Sequence, residues 1–203
     1  GIFQNVRLCP RKLSNEELLL LDKVKVGYDK LPIEAYFRLL LPALFPKLNR
    51  IIYMDVDILV NQSLAELWDQ DLDGKFIGAV RDVGMSEEHN SWGRQFLLDD
   101  VKNYINSGML ILDLELIRKY KVISEYIEFI SKYYGNFVLG DQDAFNLFFL
   151  GAIKLLPLKY NYIVHNFSLI SAPIQEQVLI HYCGFSDPKP WKNRPSLPLE
   201  QGE

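Results

Sequence analysis

Cysteine is nearly absent: Cys9 and Cys183 are the only two in 203 residues. They make no CxxC pair and no disulfide framework, so nothing points to a stapled, secreted domain, and a reducing, cytoplasmic setting is the expectation. Long hydrophobic runs are lacking too. The most apolar stretch, "AYFRLLLPALF", contains Arg38 and Pro42 and is too short to cross a bilayer, and no secretory signal pattern is present. A basic excess is also missing. Lys and Arg number 22 against 26 Asp and Glu, giving a formal charge of -4 and a pI near 5.5. That balance excludes the non-specific nucleic-acid binding that Lys and Arg drive by neutralising phosphates. The local basic cluster of Lys189, Lys192 and Arg194 suits one phosphate group better than a duplex. The chain opens on Gly1 rather than Met, which leads us to expect a processed, engineered or truncated start.

With 49% hydrophobic and 24% charged residues, the composition supports one globular domain over residues 1 to 203. Ser14 and Glu17 have capping-box spacing ahead of "LLLL", which predicts a helix ending near Gly27. "PIEAYFRLLLPALFP" reads as a buried helix with Pro32 near its start and Pro42 limiting its far end. "NRIIYMDVDILV" then reads as a strand, and Ser63 with Glu66 starts a short helix through Trp68. "KFIGAV" and "GMLILDL" are further strands. Asp113 or Ser124 caps the helices that follow, the second carrying an apolar stripe from Tyr126 to Tyr134 that reads as core packing. "DQDAFNLFFLG" is a helix capped by Asp141; "AIKLLPL" and "VLIHYC" are late strands. Strands alternating with helices imply an α/β domain with a largely parallel sheet, whose ligands bind beyond the carboxyl ends of the strands.

The chemistry concentrates at those ends. Asp55 and Asp57 interrupt an apolar run, where a carboxylate loses several kcal/mol of hydration unless a partner replaces the water. Strand alternation would project both to one side, and a divalent cation relieves their repulsion. Paired hard oxygens suit Mg²⁺ or Mn²⁺, and His181, after the apolar "VLI", adds an imidazole that favours Mn²⁺. A solvated strand exit for the acids and a structural role for the histidine are the competing readings. Capping competes for Asp141, a polar turn for Asn106, Ser107 and Gly108, solvation for Lys189, and snorkelling for Arg38.

The motifs "YFRLLLPALFP", "IIYMDVD", "YINSGMLILDL", "GDQDAFN" and "IHYCG" followed by "KPW" occur in an order that resembles glycosyltransferase family 8. These are retaining nucleotide-sugar transferases that include bacterial lipopolysaccharide galactosyl- and glucosyltransferases and glycogenin. The resemblance implies the GT-A fold, a mixed, mostly parallel sheet flanked by helices, with Mn²⁺ (or Mg²⁺) and a UDP-sugar donor. It implies that Asp55, Asp57 and His181 hold the metal, that Lys189 and Gly184 meet the diphosphate, and that Val56 lies against the donor. Arg38, Asn106, Ser107 and Asp141 match positions around the donor sugar. Gln142 matches the residue nearest the reacting carbon, and Asp82 lies where an acceptor hydroxyl is met. Gln142 and Asp141 are thus the catalytic candidates. The implied partners are a UDP-hexose and a saccharide or lipopolysaccharide acceptor, with peripheral membrane association as an extension.

Two departures stand against the family pattern. The spacing from His181 to Lys189 is longer than usual, and residues 1 to 13 carry neither the apolar opening strand nor its Ala-Asp-Asp motif, so an N-terminally incomplete domain is expected. Two other functions compete. A phosphatase of the haloacid dehalogenase type also places D-x-D after an apolar strand, but here Leu59 replaces its Thr or Val and "GDQDAFN" lacks its later acid. A non-catalytic nucleotide or carbohydrate binder with the same fold is the other.

Overall fold

The structure, a computed structural model, describes residues 7, 9–22, 38, 40–85, 103–133, 137, 139–164, 172–184 and 189–191. The expected helix end at Gly27, the Pro32 start, the loop at 86–102, Lys192, Arg194 and, of the opening segment, residues 1–6 and 8 lie outside these residues. In chain order the elements are α1 (Asn15–Asp22), α2 (Leu41–Leu44), β1 (Arg50–Met54), β2 (Ile58–Val60), α3 (Ala65–Trp68), β3 (Ile77–Arg81), β4 (Ile105–Asp113), α4 (Leu114–Lys119), α5 (Val122–Tyr133), α6 (Asp141–Phe148), β5 (Ile153–Leu156), β6 (Tyr162–Ile163) and β7 (Leu179–His181).

Local signals place several boundaries. The Ser14 amide donates to Glu17 Oε2 at 2.8 Å while the Glu17 amide donates to Ser14 Oγ at 3.2 Å, a reciprocal cap that opens α1 as expected. Asp113 Oδ1 accepts from the Leu116 amide at 2.7 Å and starts α4. Asp113→Ala is therefore expected to cost about 1 kcal/mol, read as a lower urea midpoint with an unchanged slope. Pro42 differs from expectation. It lies in the first turn of α2 instead of limiting its far end, because the missing N–H is no loss where helical amides have no partner anyway.

One sheet runs β1-β4-β3-β5 and a smaller one β2-β7-β6. Among the described residues three pairings are antiparallel and two parallel, so the sheets are mixed as expected but without the expected parallel majority. The apolar run that suggested parallel strands has another cause. β4 is buried along nearly its whole length because both faces of its sheet are covered. Leu110 and Leu112 pack with Tyr126, Ile130, Phe145 and Phe149 of α5, α6 and the residue following α6. Met109 and Ile111 face Leu67, Tyr160 and Leu179 on the other side. Burial on two faces makes a strand continuously apolar whatever its direction.

The detail that positions the site is a register break. β3 and β4 pair Ala79 with Leu110 and next Val80 with Asn106, so residues 107 to 109 leave that ladder. Met109 and Gly108 stay paired to the other side, with Met54 and through the Asp55 amide on the Gly108 carbonyl at 2.8 Å, while the Ser107 backbone is left for side chains.

Candidate functional site

Asp55 and Asp57 come together for a reason other than strand alternation. β1 ends at Met54, and residues 55 to 57 form a turn closed by the Ile58 amide on the Asp55 carbonyl at 3.2 Å. β2 then enters the second sheet, where Ile58 pairs with His181 and the Tyr182 amide donates to the Asp57 carbonyl at 3.0 Å. The turn thus joins the two sheets, and the antiparallel β2–β7 ladder brings the imidazole to the second acid. One ligand atom from each of Asp55, Asp57 and His181 lies within 4.8 Å of the others. Val56, between the acids, is fully exposed and offers its backbone to solvent.

Each acid has a cationic neighbour. Lys189 Nζ donates to Asp57 Oδ2 at 2.8 Å and His181 Nε2 lies 3.2 Å from Asp57 Oδ1. Tyr53 donates its hydroxyl to Asp55 Oδ1 at 2.6 Å, and Arg38 Nη2 approaches the same oxygen at 3.4 Å. The guanidinium lies over the Tyr53 ring, 4.5 Å from its centre. Arg38 is buried, not snorkelling: Nη1 donates to the Ser107 carbonyl at 2.7 Å and reaches Asp141 Oδ2 at 3.3 Å. Burial works against its charge, but Asp141, Tyr53 and Asp55 outweigh that and hold it above its ordinary range. Burial raises the Asp141 carboxyl, and Arg38 reverses only part of the rise. Burial likewise lowers the His181 imidazole against the pull of Asp57 and Asp55, leaving it neutral at pH 7, the form a metal ligand requires.

Asp141 does not cap α6. Gly140 occupies the cap position with φ 58°, and the Asp141 carboxylate instead meets Arg38 and, at 3.5 Å, the Ser107 hydroxyl. The anchoring of α6 falls instead to Asp143, another acid of the helix start, and to Asn146. Asp143 Oδ1 accepts from the Tyr104 hydroxyl at 2.5 Å and Oδ2 from the Leu139 amide at 2.7 Å. Asn146 forms a two-way pair with the Ile105 backbone at 2.7 and 2.9 Å. These contacts fix the first turn of α6 against β4 and so aim Gln142. Its Oε1 accepts from Asn106 Nδ2 at 3.1 Å and the Ser107 amide at 3.3 Å, while Nε2 donates to Asp82 Oδ2 at 3.4 Å. Asp82 Oδ1 is held by the Gly84 amide at 3.1 Å.

The structure thus gathers Arg38, Asp55, Asp57, Asp82, Asn106, Ser107, Asp141, Gln142, His181 and Lys189 around one end of the sheets. Gly184 follows β7 with φ 91°, a backbone state that disfavours any side chain. Tyr53 and Asn161 were not anticipated, and Gly108 was read only as part of a polar turn. Asn161 is buried beside His181, and its only signal was an amide inside the aromatic "KYNYI". A Cβ on Gly108 would strike the His181 ring and come within 3.0 Å of both Asn106 Oδ1 and Asp55 Oδ2. The bare Cα is what lets β4 pass beneath the three-ligand cluster.

Mixed sheets covered by helices, with paired acids in the turn between the sheets, define a GT-A-like α/β protein. The model of glycosyl transferase family 8 matches residues 21–194, and the chain belongs to that family. It is 29% identical over 180 residues to general stress protein A of Bacillus subtilis, covering 81% of this chain and 61% of that protein. It is 29% identical over 177 residues to a lipopolysaccharide 1,2-glucosyltransferase of Escherichia coli, covering 79% of this chain and 50% of that protein. Among solved structures it is similar to galactosyltransferase LgtC in complex with donor and acceptor sugar analogs, with a TM-score of 0.68, 25% identity, and coverage of 77% of this chain and 60% of that one. The chain spans about half the length of the curated relatives it matches. Family membership displaces the phosphatase reading. Among the described residues no helix is long and apolar enough to cross a membrane.

Proposed function

We propose that this chain carries the donor site of a metal-dependent retaining hexosyltransferase, which moves galactose or glucose from a UDP-sugar to a saccharide acceptor in cell-surface glycan synthesis. The observation that carries this reading is the convergence of Asp55, Asp57 and His181 beside a buried lysine. Two carboxylates and one neutral imidazole suit Mn²⁺, with Mg²⁺ as the harder alternative. When bound, such a cation supplies positive charge where a departing diphosphate sheds negative charge.

The protein's own groups fill the remaining roles. Lys189 adds a second positive charge toward the diphosphate, and charge placed there favours the transition state over the ground state. The exposed backbone at Val56 and Gly184 lets a nucleotide approach closely. Arg38, Asn106, Ser107 and Asp141 offer donors and an acceptor to sugar hydroxyls, and Asp82 receives the acceptor hydroxyl. Gln142 is unsuited to act as a covalent nucleophile, because both lone pairs of its Oε1 already accept hydrogen bonds. Retention is what family membership implies; a glutamine at this place weighs against the carboxylate-nucleophile route of retaining glycosidases and supports acceptor attack on the face that the diphosphate leaves. A lipopolysaccharide acceptor, by analogy with the glucosyltransferase relatives, would bring the protein to the cytoplasmic face of a membrane.

Calorimetric titration with UDP tests this reading: binding in Mn²⁺ should be at least about tenfold tighter than in EDTA, since the cation is asked for more than 1.4 kcal/mol. A donor screen detecting UDP release from UDP-galactose and UDP-glucose then names the sugar. Metal-independent UDP binding without turnover of any donor would favour the non-catalytic binder.

A further inference from the structure

Asn161 touches neither of the acids, yet it closes a line of amides that ends on His181. The line starts from backbone donors, whose polarity cannot be reversed. The Gly108 amide donates to Asn106 Oδ1 at 3.0 Å, and the Ser107 amide donates to Gln142 Oε1 at 3.3 Å. Both atoms are therefore oxygens, because an amide nitrogen cannot accept from a backbone N–H. Asn106 then directs Nδ2 to Gln142 Oε1, and its Oδ1 takes a second donor from Asn161 Nδ2 at 2.9 Å. With its nitrogen so committed, Asn161 presents Oδ1 to His181 Nδ1 at 2.9 Å. An amide oxygen can only accept, so Nδ1 must carry the proton.

We propose that Asn161 is a positioning residue that fixes the proton of His181 on Nδ1 and leaves Nε2 to face Asp57 with its lone pair. The inference rests on the metal-site reading above and deepens it. Turning any amide in the line would set an oxygen against an oxygen or a nitrogen against a backbone N–H, inside a region where Asn106 and Asn161 are 6% and 2% exposed. The line has one place left where acceptors confront each other: Nε2 and Asp57 Oδ1, 3.2 Å apart. A divalent cation held among Asp55, Asp57 and His181 satisfies both. The amide line thus moves all frustration to the single point where a ligand relieves it.

The test is nitrogen-15 NMR of the histidine ring on the metal-free protein at pH 8, aided by the presence of only three histidines in the sequence, together with Mn²⁺ titration followed by electron paramagnetic resonance. The wild-type His181 should carry its proton on Nδ1. Asn161→Ala should lose that preference and bind Mn²⁺ about tenfold more weakly. Asn161→Asp, which keeps an acceptor toward Nδ1 but sets an oxygen against Asn106 Oδ1, should keep the proton on Nδ1 while lowering the urea midpoint. A neutral wild-type ring protonated on Nε2 overturns the proposal without any variant having to fold. So does Asn161→Ala with an unchanged ring and unchanged Mn²⁺ affinity. A wild-type protein that binds no Mn²⁺ removes the metal-site reading instead, while the ring measurement still decides the role of Asn161.

Discussion

Replacing Asp57 with alanine is expected to reduce metal-dependent UDP release by roughly 10³-fold or more, since loss of several kcal/mol of charge stabilisation has that size. Asp57 is the side chain on which the site's groups meet: Oδ2 holds Lys189 and Oδ1 faces His181. Without it the lysine and the imidazole confront each other, and a cation keeps only Asp55 and His181 as ligands. The fold should persist. The β2–β7 ladder is built from backbone pairs over Ile58, Leu59 and Val60, and the Tyr182 amide bonds the Asp57 carbonyl, which alanine retains. Circular dichroism and a UDP-release assay separate the two effects. A variant that turns over at the wild-type rate removes Asp57 from the site.

Gly108→Ala should be nearly as damaging, although it removes no functional group. The added methyl collides with the His181 ring and presses within 3.0 Å of Asp55 Oδ2 and Asn106 Oδ1. His181 is 1% exposed and has no room to retreat. Either the ring turns, losing its aim, or β4 shifts and carries Asp55 with it through the Asp55–Gly108 backbone bond. Overpacking of this kind costs about 1–3 kcal/mol of stability. Mn²⁺ affinity should fall by roughly 100-fold, the upper range for disturbed ligand orientation. Urea denaturation and Mn²⁺ titration on one preparation test both parts. An alanine variant that binds Mn²⁺ as the wild type does would mean that His181 is not a ligand.

The site residues could be picked out in the chain more readily than their arrangement. The Ser14–Glu17 cap and the Asp113 cap were legible because their partners lie three residues away, within one turn of helix. The stripe of α5 was legible for the same reason, since Tyr126 and Ile130 repeat at helical spacing and pack inward. Asp55 and Asp57 were found by the cost of acids in an apolar run, yet the geometry assigned to them was wrong: a turn, not a pleat, sets their directions. Asp141 misled for a related reason. An acid at a helix start is normally a cap, and only the arrival of Arg38 from a segment about a hundred residues earlier gives it another partner. Asn146 gave no local signal and Asn161 only that of an amide among aromatics, because an amide's partners are set by whatever segment approaches it.

The sequence by itself determined which stretches bury their side chains, where α1 and α4 begin, and which side chains could bind a hard cation and a phosphate. Those properties depend on composition and on neighbours within a few residues. Tertiary structure alone decided the mixed strand directions, the register break that frees residues 107 to 109, and the meeting of Asp57 with a histidine 124 residues away. The physical reason is that a hydrophobic pattern encodes burial without direction. Convergence of polar groups follows from how strands pair across the whole sheet, which no local window of residues contains.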